Sequence, residues 1–102
     1  MFKLIRDAWK LPRVTAALDA AKVAIDAGQL ELARAWATKA YNMSLDTRFG
    51  KADLLNFVLL WGFLSEDFKK RGDTEFAGQC VKMHDLLNSR FYAGDFYREP
   101  EP

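Results

Sequence analysis

Cysteine, proline and histidine are scarce in this chain, with one, three and one in 102 residues. A lone Cys80 cannot form an internal disulfide, and its isolation is compatible with a reducing cytoplasm. Cys80 and His84 stand four apart, but no second Cys or His completes a zinc site. They are expected to be packing residues, and no metal or other cofactor is expected. No glycine-rich phosphate loop, HExxH pattern or paired-carboxylate constellation occurs. Catalysis is therefore not expected.

Long apolar runs are also missing. The most apolar stretch, residues 54–64, is 11 residues long, about half of the roughly 20 needed to span a bilayer. Lys3, Arg6, Asp7 and Lys10 interrupt the start of the chain, so it does not read as a secretory signal. A cytoplasmic location is the expectation. Nor is there an excess of charge of one sign: 15 basic and 14 acidic residues leave a net charge of +1, which disfavours a dedicated nucleic-acid binder. The charge is nonetheless uneven. Residues 1–13 hold four cations against one acid, and residues 73–102 hold three cations against six acids.

What is present is apolar and helical. Half of the residues are hydrophobic, including eight Phe, three Trp and three Tyr, enough for one core in a chain of this length. Residues 2–11 read as a short amphipathic helix with Phe2, Ile5 and Trp9 on one side, broken by Pro12. A second helix is predicted over residues 15–27, capped by Thr15 and stopped by Gly28. An alanine-rich third helix follows over 30–43. Residues 44–50 read as a connection in which Asp46 or Thr47 caps the next helix.

That fourth helix, over residues 51–71, carries Leu54, Leu55, Phe57, Val58, Leu60, Trp61, Leu64 and Phe68 and is expected to be the most buried element. Lys69, Lys70 and Arg71, followed by Gly72, form its stop. A fifth helix begins with Asp73, Thr74 and Glu75 and turns Phe76, Cys80, Met83, His84, Leu87 and Phe91 to one side. The expectation is an all-α, five-helix bundle. It consists of an N-terminal helix (residues 1–12), a core of two helical hairpins (13–91), and an aromatic then acidic tail (92–102).

The two hairpin turns match each other. Gly28, Glu31 and Ala33 recur as Gly72, Glu75 and Ala77, each set lying between two helices. This pattern resembles the turn of a tetratricopeptide repeat. Trp61, Leu64 and Phe68 stand before Gly72 at that family's first-helix spacing, and Ala21 and Ala40 occupy its small-residue positions. The likeness covers about residues 14–91. The glycines are 44 apart rather than the family's 34, and the closing proline is absent from both copies. The resemblance implies a protein-binding module with Thr15, Leu18, Lys22, Glu66 and Lys69 toward a concave, peptide-binding side. The asparagines and lysines with which the family clamps a C-terminal carboxylate are missing.

Three functional readings follow. The first is a non-catalytic protein-interaction module: an adaptor, assembly factor or inhibitor, able to self-associate. Its candidate contacts are Lys22, Glu66, Lys69, Lys70, Arg71, Phe96 and Tyr97. The second is a membrane-associated assembly component anchored by Phe2, Ile5 and Trp9 in the basic N-terminal helix; Trp9→Glu would abolish that anchoring. The third is a nucleic-acid accessory protein using Arg6, Lys10, Lys69, Lys70 and Arg71, whose binding would fall steeply with salt. For the aromatic tail, folding back onto the bundle is preferred over exposure as an anchor.

Overall fold

The computed structural model describes the backbone of residues 2–97 and the side chains of residues 11–97. The described residues are all-helical, with four helices among them: α1 (Phe2–Asp26), α2 (Leu30–Leu45), α3 (Lys51–Lys70) and α4 (Thr74–Ala93). The five-helix expectation is thus corrected, because the first two expected helices are one. Pro12 lies inside α1 and removes one N–H from its ladder without ending it. Leu11 packs against the core and Val14 is fully buried. Residues three apart share a helix face only if the helix runs through the proline between them. Thr15 is not a cap; its hydroxyl donates to the Leu11 carbonyl at 3.2 Å, one turn back in the same helix.

Helices α1 and α2 form one hairpin and α3 and α4 a second. Both tight turns use a glycine with positive φ, Gly28 at 77° and Gly72 at 86°. Gly28 N–H donates to Ile25 and Gln29 N–H to Ala24; Gly72 N–H donates to Lys69 and Asp73 N–H to Phe68. These paired bonds are the Schellman arrangement, which satisfies terminal carbonyls and requires a left-handed residue at the turn. The same pair recurs after α4, where Gly94 and Asp95 donate to Phe91 and Arg90.

The link between the hairpins is built differently. Helix α2 runs two residues past its expected end, through a buried Ser44 whose hydroxyl donates to Ala40. Asp46 and Thr47 do not cap α3. Their amides donate back to Met43 and Ser44, and the Thr47 hydroxyl donates to the Met43 carbonyl at 2.6 Å. No glycine closes this helix end. Instead the Arg90 guanidinium reaches from α4 to the carbonyls of Ser44, Leu45 and Thr47, each at 3.4 Å. A cation is favoured there, at the negative end of the α2 dipole.

The core lies along the seam of the hairpins. Trp61 is fully buried and meets Tyr41 of α2 edge-on, ring centres 6.1 Å apart. Its indole N–H is buried without a hydrogen-bond partner among the described residues. Phe57 packs on Phe49 and Phe68 on Phe76. After α4 the chain turns back along the start of α3: the Tyr97 amide donates to the Phe49 carbonyl at 2.9 Å, and Phe96 packs against the core.

Candidate functional site

Helix α3 is amphipathic on a finer scale than its composition suggests. Leu54, Phe57, Val58, Trp61, Leu64 and Phe68 are buried, as expected of the central element. Leu55, Leu59 and Phe63 are not. They stand at i, i+4 and i+8, so they form one stripe on the exposed side of α3. Phe63 is 67% exposed, and Leu55 and Leu59 about half exposed. Of the apolar set expected to make α3 the most buried element, Leu55 is the one exposed member. Val23 of α1 is equally exposed, at 69%.

Beside the stripe runs a cleft of about 450 Å³ between α1 and α3. Its floor is Leu18, Leu60 and Leu64, with Phe63 at its edge; Asp19, Lys22, Glu66, Asp67 and Lys70 supply the charged rim. The rim is partly self-neutralised. Lys22 donates to Asp67 at 2.7 Å and lies 3.1 Å from Asp26. These carboxylates hold its ammonium above the ordinary lysine pKa, Asp67 contributing most. Its charge is therefore fixed at neutral pH and engaged within the fold.

Among the candidate contact residues, the structure brings Lys22, Glu66 and Lys70 to one cleft. Lys69 is exposed on the last turn of α3. The Arg71 guanidinium bonds the Asp26 carbonyl at 3.4 Å, so it ties the two hairpins together. Phe96 and Tyr97 lie at the other end of α3, which is about 30 Å long. There the Arg48 guanidinium covers the Tyr97 ring at 4.9 Å and Lys51 lies 5.9 Å from the Phe96 ring. These two aromatics are docked on the fold, whereas Tyr92 is 81% exposed. The backbone at Phe2, Ile5 and Trp9 is helical, and their side chains lie outside the described residues.

Two polar features escaped sequence reasoning because each joins residues about 40 apart. Arg34 of α2 forms a two-pronged ion pair with Asp73, whose other role is to cap α4 by accepting the Phe76 amide at 3.2 Å. The Arg34 guanidinium and, to a lesser extent, the Phe76 amide hold the Asp73 carboxyl below its usual pKa, against the opposing effect of burial. The Arg90 contact with the end of α2 is the second. The exposed stripe carried only part of a signal: Leu59 and Phe63 fall outside the apolar set read for this helix, whereas Leu55 was read within it.

Cys80 is fully buried, and burial pushes its thiol pKa up to about 12, leaving it protonated and a poor nucleophile. His84 is half-buried, with its Nδ1 3.1 Å from Asp85. Among the described residues no group of His, Cys, Asp and Glu is placed to hold a metal ion, and no helix is long and apolar enough to cross a membrane. No family model, curated protein or solved structure matches the chain.

Proposed function

We propose that the protein is a non-catalytic recognition module that binds a protein partner through the α1–α3 face. It works by occluding or bridging surfaces, as an adaptor, assembly factor or inhibitor does. One observation carries the reading: Leu55, Leu59 and Phe63 form an uncovered apolar stripe beside a cleft with an apolar floor and a charged rim. Scattered exposed apolar residues are ordinary on a protein surface, but a contiguous stripe marks an interaction site. The geometry suits a partner's amphipathic helix, whose anchors at i, i+3 and i+7 enter such a groove. The tetratricopeptide-like pattern of the turns supports the same face, since that family's concave side is formed by the first helix of each hairpin.

Affinity capture from lysate of the source cell tests the proposal, with the unmodified chain beside Phe63→Glu and Tyr92→Ala. A partner lost with Phe63→Glu and kept with Tyr92→Ala supports recognition through α3. Loss with Tyr92→Ala alone moves the site to the end of α4. If neither the unmodified chain nor the variants recover a partner, the interaction reading fails.

A further inference from the structure

We propose that a slot between α2 and α4 binds a small, neutral, aromatic molecule whose hydrogen-bond acceptor takes the indole N–H of Trp61. The two helices are tied together at two places. Arg34 pairs with Asp73 near their starts, and Arg90 reaches the carbonyls at the end of α2. Between these ties lies a cavity of about 270 Å³, which shares no lining residue with the α1–α3 cleft.

The chemistry of the slot sets the class of ligand. Tyr41, Trp61 and Phe76 line it with three aromatic rings, and Cys80 adds a buried, protonated thiol. Thr38, Asn42 and Gln79 are exposed at its mouth and offer both donors and acceptors. No charged side chain lines it, and Arg34, which covers the Phe76 ring at 5.4 Å, is already neutralised by Asp73. Apolar walls with a few polar groups, and no charge to match an ion, suit a neutral ring system. A cavity of roughly 150 Å³ holds benzene, so this one has room for two fused rings. The need for an acceptor comes from Trp61. That side chain is fully buried, and among the described residues its N–H is the one buried side-chain polar group without a partner. A buried donor left unpaired is destabilising, and an acceptor placed in the slot relieves it.

Quinoline and N-methylquinolinium make a matched pair of probes. They have nearly the same shape, but the first is neutral with a ring nitrogen that accepts, and the second is a cation with no acceptor. The full chain carries three tryptophans, so Trp9→Phe and Trp36→Phe identify the indole N–H resonance of Trp61 by elimination. Millimolar quinoline should move that resonance downfield, saturably, and slow its exchange with water, while the other two stay in place. N-methylquinolinium should do neither. Gln79→Phe fills the mouth from an exposed position and should abolish the response to quinoline. Val81→Phe, an enlargement at another exposed position of α4, should leave the response intact. An unmoved Trp61 resonance overturns the proposal. So does an equal shift with N-methylquinolinium, or an undiminished response in Gln79→Phe.

Discussion

The two hairpins share a turn but not an interior. The α1–α2 hairpin is filled by small side chains: Ala17, Ala21, Ala24, Ala33, Ala37 and Ala40 are all buried, with Val14, Leu18 and Ile25 as the larger ones. The α3–α4 hairpin is filled by Leu54, Phe57, Trp61, Leu64, Phe68, Met83 and Leu87. Alanine favours the helix and lets its neighbour approach closely, yet it removes little apolar surface from water. Large side chains do the reverse. The first hairpin is thus close-fitting and light, and it depends on the second for hydrophobic mass through contacts such as Tyr41 on Trp61.

Substitutions can break this contrast or sharpen it. The largest effect is expected from Trp61→Ala, which empties the seam and should cost about 3–5 kcal/mol by urea unfolding. Because Trp61 touches both hairpins, they should still unfold in one transition, and two separated transitions would show independent units. Next comes enlargement of an alanine. Ala37→Leu has no room between α1 and α2 and should cost about 1–3 kcal/mol, whereas Met83→Leu in the second hairpin should cost less than about 1.5 kcal/mol. Equal costs would mean that the two interiors are equally close-fitting.

Asp73 joins the hairpins, and its loss should cost about 1–2 kcal/mol from the α4 cap alone, measured for Asp73→Ala by the same unfolding. Its pH dependence has a definite sign. With its pKa lowered in the folded state, the carboxyl binds protons more readily when the chain is unfolded. Its contribution is then complete above the ordinary carboxylate pKa of about 3.9 and is lost as pH falls through the lower folded value. Asp73→Asn should therefore flatten the acid limb of the stability curve and leave its neutral region without pH slope from this site.

Arg90→Met should cost about 1 kcal/mol, because three carbonyls at the end of α2 lose a shared cationic donor. Its signature is local: amide hydrogen exchange should quicken over residues 43–47 more than at either glycine turn, and uniform quickening would contradict the local role. The smallest change is expected from Val23→Ala, within about 0.5 kcal/mol, since that side chain is exposed.

Much of this molecule was legible because its decisive signals are local. Gly28 and Gly72 end their helices through bonds spanning six residues, and Asp73 caps the helix that begins beside it. The spacing of Cys80, Met83 and Leu87 marks the buried side of α4. Pro12 misled for the same reason. Its local effect is to break a helix, and only the burial of Leu11 and Val14 against the core shows that the helix continues. The site was half legible: Lys22, Glu66 and Lys70 fall on helix exteriors in sequence, but nothing local says that they share a cleft.

The sequence by itself determined the all-helical class, the two glycine turns and the pairing of helices across them, because those depend on contacts a few residues apart. Only the tertiary structure decided how the hairpins meet. The Lys22–Asp67, Arg34–Asp73 and Arg90–α2 contacts join residues 39 to 46 apart, a separation at which no periodicity specifies a partner. It also decided which side of α3 remains uncovered. Helix α4 covers one side of α3 and α1 touches another, and Leu55, Leu59 and Phe63 lie where neither reaches.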